Sequence, residues 1–130
     1  MSLTYPSIMR REGFEAFVSA LPAVTLVRQW RDDSVAKVGD KIFALLDRDP
    51  GEVWCKVSDM SFDLLTELPG IRPAPYFARA GWVAISVDSP LGAAEVEAYV
   101  VEAHRLVATK LSRKLRLQLG LDHLPVHAPI

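Results

Sequence analysis

Residues 34–57, SVAKVGDKIFALLDRDPGEVWCKV, hold three short apolar runs separated by two turn signals, and that rhythm decides the fold. Val35, Ala36 and Val38 lead into Gly39-Asp40, Ile42 to Leu46 form the second run, DRDPG turns the chain again, and Val53 to Val57 make the third. Runs of this length bounded by turn residues read as strands, and turns at these intervals imply an antiparallel meander. Gly39-Asp40 supplies the positive φ that a two-residue hairpin loop demands.

Working outward, RREGFEAFVSAL (residues 10–21) sets Phe14, Phe17, Val18 and Leu21 at helical spacing with charges opposite, an amphipathic helix that Leu21-Pro22 ends. VTLVRQW (residues 24–30) is β-rich, and RDDS after it is turn chemistry. SDMSFDLLTELPG (residues 58–70) predicts a short helix, with Ser58 as N-cap, Asp59 and Asp63 early, and Met60, Phe62, Leu64, Leu65 and Leu68 as its apolar residues before Pro69-Gly70.

IRPAPYFARAGWVAISV (residues 71–87) divides in three. Pro73 and Pro75 fix φ and donate nothing to a ladder, so Ile71 to Pro75 belongs on a sheet edge or outside the sheet. Tyr76 to Ala78 and Trp82 to Val87 read as strand, joined by a bulge or tight turn at Arg79 to Gly81. Val83, Ile85 and Val87 share one face, and Trp82, Ala84 and Ser86 the other. After SPLG, the positions Val96, Tyr99, Val100, Ala103, Leu106, Val107 and Leu111 keep a helical rhythm through the longest helix. Ser112 interrupts it, RKLRLQLG predicts a further short helix stopped by Gly120, and residues 121–130 read as a loose tail. The sum is one domain over residues 1–130. Its class is α+β in two layers: an antiparallel sheet of about five strands packed by helices, in the order helix, strands, helix, strands, helix.

Composition excludes several functions. The 130 residues are 50% apolar and 24% charged, the balance of a globular domain large enough to bury a real core. No apolar run approaches the roughly 20 residues that cross a bilayer, and the first residues lack a signal peptide's apolar centre, so the expected address is cytoplasmic. The single cysteine, Cys55, alternates with Trp54 and Lys56 onto the face of Val53 and Val57, where a buried structural thiol is expected rather than a nucleophile. His104 lies at the edge of the long helix, while His123 and His127 are separated by Pro125, which spoils helical metal-ligand spacing. Asp32-Asp33 and Asp47/Asp49 fall in turns, where Asp serves the backbone. Nucleotide-loop, nucleophile-elbow and metalloprotease motifs are missing from the sequence, so no catalytic residue, metal or cofactor is expected.

Fifteen basic residues against 16 acidic give a formal charge of -1, so any anion site must be local. A local excess exists: Arg105, Lys110, Arg113, Lys114 and Arg116 follow one another between Ala103 and Leu121 with no acid among them. Lys37 and Lys41 flank the hairpin tip. Such a hairpin can lie along a phosphate backbone, and paired lysines also keep an exposed hairpin soluble.

KVGDKIFALL (residues 37–46), LPGIRPAPYFARAGWVAISV (residues 68–87) and HRLVATKLSRKLR (residues 104–116) together resemble the MmcQ/YjbR family from about Phe14 to Gly120. Family members often carry proline where Ser112 stands. The resemblance implies a small cytoplasmic bacterial protein of CyaY-like or secretion-chaperone-like topology, labelled DNA-binding through a double-wing surface, with no catalytic residues. Joined to the basic clusters, it gives an expected nucleic-acid site of Lys37, Lys41, Arg72, Arg79, Trp82, Lys110, Arg113, Lys114 and Arg116, with Trp82 or Tyr76 available to stack on an unpaired base. The alternative is a monomeric protein-interaction or chaperone-like module that takes a partner segment by strand addition or in an apolar groove.

Overall fold

A computed structural model describes residues 7–123. The first helix, α1 (Arg11–Ser19), precedes four strands, β1 (Val24–Gln29), β2 (Asp33–Val38), β3 (Lys41–Leu46) and β4 (Val53–Lys56). Helix α2 (Asp59–Leu65), strand β5 (Ile71–Pro73), a single 3-10 turn at Ala78–Ala80 and strand β6 (Trp82–Ile85) follow, then α3 (Ala93–Ala108) and α4 (Arg113–Gln118). The six strands form one antiparallel sheet in the order β1-β2-β3-β4-β6-β5. This is the expected α+β class, with one strand more than the five anticipated.

Register explains the two faces. Leu26, Ala36, Ala44, Cys55, Val83 and Pro73 run in one row across the sheet. On that side the main core joins Ala36, Ala44, Cys55 and Val83 to Phe14 and Val18 of α1, Leu65 of α2 and Val96, Val100 and Ala103 of α3. The neighbouring row, Val27, Val35, Leu45, Trp54, Ala84 and Arg72, points the other way. A second cluster of Ala74, Trp82 and Ala84, packed by Ile42, Trp54 and Phe77, forms on this outer side.

The local chemistry that shapes the elements is visible at their ends. Gly39 and Asp40 both take positive φ, 57° and 68°, as a two-residue hairpin turn requires. Pairing passes from Ala36/Ala44 to Lys37/Ile42, which leaves Phe43 as an extra residue on β3. That bulge turns Phe43 and Ala44 into the same core. Ser58 caps α2 by accepting a hydrogen bond from the Ser61 N–H (3.2 Å), and Ser112 caps α4 from the Leu115 N–H (3.1 Å). At the start of α3 the Glu95 carboxylate accepts from the Gly92 N–H (2.8 Å).

Three expectations are corrected, those for Tyr76 to Ala78, His104 and Leu121. Tyr76 to Ala78 is not strand: Tyr76 sits at φ 68° directly after Pro75, and the chain turns into the 3-10 segment. Ile71 to Pro73 does join the sheet, as its edge strand, where proline's missing donor costs least. Of the apolar residues on α2, Phe62 and Leu65 pack into the core, while Met60 and Leu64 are exposed on its other side. His104 is buried rather than at a helix edge, and its Nε2 lies 2.8 Å from the Pro22 carbonyl, to which it donates. Leu121, placed in the expected loose tail, is fully buried and donates its N–H to Arg116 O (2.7 Å); residues 124–130, with His127, lie outside the described residues.

Candidate nucleic-acid interface

The hairpin tip and the break between α3 and α4 meet. A Cβ built on Gly39 would come within 2.6 Å of Leu111 Cδ1, so the tip lies directly on the residue that follows Lys110. Lys41 leaves the tip exposed, and Lys110, Arg113 and Lys114 are exposed around the break. Lys37 is half-buried on the outer side of β2, paired with Thr25 and Ile42.

Lys56 joins this end of the sheet, and the sequence reading did not single it out. Burial holds its ammonium below the usual lysine range, with the Lys110 charge adding to the effect and Asp59 opposing it. Its Nζ donates to the Ala80 carbonyl. Alternation in Trp54-Cys55-Lys56 carried the signal: with Cys55 inward, Lys56 must point outward. Arg79 shares a shallow cavity of about 450 Å³ with Lys56, and Asp59 and Asp63 line it as well. The tip carries Asp40 beside its lysines. Cations outnumber acids here, but acids stand among them.

Two expected members belong elsewhere. Arg72 reaches over β6 on the outer face to Glu52, with Nη2 2.6 Å from Oε1 and Nε 3.3 Å from Oε2. Ala84, paired with both Arg72 and Trp54, presents only a methyl group between them, which leaves room for that reach. Trp82 is 5% exposed and packs against Phe77 at 5.1 Å between ring centroids, so its face is closed to a base. Arg116 is half-buried, and its shielded Nε has no hydrogen-bond partner among the described residues. Tyr76 is wholly exposed.

The outer sheet face holds a larger feature, a hollow of about 950 Å³ lined by Trp30, Leu45, Trp54, Pro75, Tyr76 and Phe77, with Arg31, Asp33, Asp47, Arg48 and Asp49 around them. Trp54 stands edge-to-face with Phe77 at 6.1 Å. Asp47 is 8% exposed, and one of its oxygens accepts the Gly51 N–H at 3.1 Å. Burial raises its carboxyl above the usual range, and Asp33 and Glu52 push the same way against the Gly51 hydrogen bond.

Cys55 sits on the opposite, helix-covered face, fully buried, with its thiol pushed up to about 12 by desolvation. It holds its proton at neutral pH and is no thiolate nucleophile there. Among the described residues, no group of three or more His, Cys, Asp or Glu could hold a metal ion. Nor is any described helix long and apolar enough to cross a membrane.

A six-stranded antiparallel sheet covered by helices on one face, with an edge strand ending in Arg72-Pro73, defines a small α+β class. The YjbR family model matches residues 19–106, and the chain belongs to the YjbR family. The fold is similar to that of a Deinococcus radiodurans protein, DR2400, described as a DUF419 domain, at a TM-score of 0.79 and 21% identity over 96% of both chains. A Pseudomonas syringae protein is similar at a TM-score of 0.62 and 22% identity, over 75% of this chain and 97% of its own. At these identities the likeness is one of fold. Among curated proteins none matches.

Proposed function

We propose that this YjbR-family protein binds nucleic acid without catalysis, contacting phosphates through Lys41, Lys56, Lys110, Arg113 and Lys114. One observation supports the reading above others: the seating of the Gly39 tip on Leu111, which joins two basic segments about 70 residues apart in the chain. Lys37, Arg79 and Arg116 are peripheral contributors in this reading. Arg72, engaged by Glu52, and Trp82, buried, drop out of it. The protein acts in the bacterial cytoplasm as a monomer, with no metal or cofactor.

Binding carried by phosphate contacts must weaken steeply with salt, by about 0.9 in the log-log slope for each phosphate neutralised on duplex DNA. Fluorescence anisotropy with a labelled duplex and a single strand should therefore show binding at about 50 mM salt that falls by roughly two orders of magnitude or more at about 200 mM. Reversing Lys41 and Lys110 to Glu should abolish it, while Arg72→Ala should leave the salt slope unchanged. The reading fails if tens of micromolar protein leaves both probes unshifted at the lower salt.

A second reading, a protein-interaction module, has one feature in its favour. Among the described residues strand β1 pairs only with β2, which leaves its other edge open there, over six residues, to strand addition. Co-purification of a stoichiometric protein partner that a proline at Val27 abolishes, with no nucleic acid retained, would select it.

A further inference from the structure

We propose that the outer-face hollow is a binding site for a small organic cation, of the alkylated-ammonium class, held between aromatic faces and a buried carboxylate. The hollow falls within the size of small-molecule sites, about 950 Å³ against a usual range of roughly 300 to 1,000 Å³. Four aromatic residues line it: Trp54 and Phe77, half-buried, and Trp30 and Tyr76, at its exposed margin. Ring faces present negative potential, and a soft cation with methyl groups gains from them both electrostatics and contact area.

Backbone geometry at the rim is unusual. Trp30 (φ 59°) and Tyr76 (φ 68°) both occupy the left-handed region, which bulky residues avoid. Neither gains by burial, since Trp30 is 58% and Tyr76 100% exposed. Two large aromatic side chains held in strained positions, in solvent, and both lining one hollow, are what a ligand clamp requires.

Charge selects the ligand. Asp33, Asp47 and Asp49 line the hollow, and none of them has an ion-pair partner among the described residues. Arg48 is directed at Asp32, outside the hollow, with Nη1 3.7 Å from its carboxylate. Arg72, whose charge also feels Asp47, places its guanidinium on Glu52. Among the described residues Arg31 is then the one unmatched lining cation against three carboxylates, so an anion is disfavoured. The acids do not cluster closely enough to hold a metal ion. Dispersed carboxylates with aromatic faces suit a large, weakly hydrated cation.

Choline and its uncharged isostere 3,3-dimethylbutanol separate charge from shape. Choline should move the Trp30 and Trp54 indole N–H resonances with a midpoint in the millimolar range, and the isostere should bind about ten-fold more weakly. Trp30→Ala and Asp47→Asn should each weaken choline by about five- to thirty-fold while the circular dichroism spectrum stays unchanged. Tyr76→Ala, fully exposed, serves if either variant misfolds, with the same expected loss. The proposal is overturned if the isostere matches choline, if choline at about 50 mM moves neither indole, or if adenosine moves them and choline does not. Oligonucleotide binding at the basic end should survive all three substitutions, so this site and the phosphate contacts stand or fall separately.

Discussion

Asp47 shows how one buried side chain can work against stability. Its folded pKa is raised by burial, so at neutral pH the folded protein holds a carboxylate that would be better solvated in the unfolded chain. That penalty is present above the folded pKa and is relieved as pH falls through it. Asp47→Asn should therefore raise stability at pH 7 by a few tenths to about 1 kcal/mol, with the Gly51 N–H still received by the amide oxygen. Urea midpoints at pH 7 and at about pH 3, where both states of the wild type are protonated, check it. The gain should vanish at the lower pH; a gain equal at both would assign it to packing. Its turn chemistry is legible in the sequence and its bond to Gly51 agrees with it, but its place at the hollow comes from the pairing of strands β3 and β4. Trp82 is the converse. Its apolar bulk and strand position were legible, yet its closure by Phe77 depends on how residues 74–80 fold back over the sheet.

At the scale of the element, two glycines at positive φ test how tightly the joints are fixed. Gly70 (φ 79°) connects α2 to β5, and a Cβ there would lie 2.7 Å from Ser89 N and 2.9 Å from Ser89 Cα. Those are backbone atoms, tied in turn by the Ser86 N–H donating to Gly70 O at 2.8 Å. Gly39 would meet only the flexible end of Leu111. Gly70→Ala should accordingly cost about 2–4 kcal/mol and Gly39→Ala about 1–2 kcal/mol, as read from chemical denaturation. Equal costs would mean that the φ penalty alone decides and the close approach does not. The hairpin at Gly39-Asp40, the cap at Ser58 and the placing of Pro73 on an edge or outside the sheet were legible, because each is set by residues within a few positions of one another. The bulge at Phe43 was not, since it is a relation between β2 and β3 that neither strand announces.

For the whole molecule, His104 links the layers. It packs edge-on against Phe43 of β3 at 5.2 Å and donates to Pro22 O in the connection from α1 to β1. Burial lowers its pKa below the usual imidazole value, against the opposing effect of the Pro22 hydrogen bond, so the folded state favours the neutral ring. Its contribution is complete above the unfolded pKa of about 6.5 and is lost as pH falls from there toward the depressed folded value. Thermal midpoints should thus decline between about pH 6.5 and 5, and His104→Gln should flatten that decline while lowering the midpoint at pH 7. An unchanged pH slope in the variant would assign the decline to other groups. By itself the sequence determined the α+β class, the order of elements, the inward face of Cys55 and the two basic segments, because periodicity and turn chemistry are local and alternation is strict. Only the tertiary structure decided which cations share a surface with acids, that Arg72 belongs to Glu52, that His104 is buried, and that Trp30 and Tyr76, 46 positions apart, face one hollow. Burial and charge pairing are properties of surfaces made by folding, and they have no period along the chain.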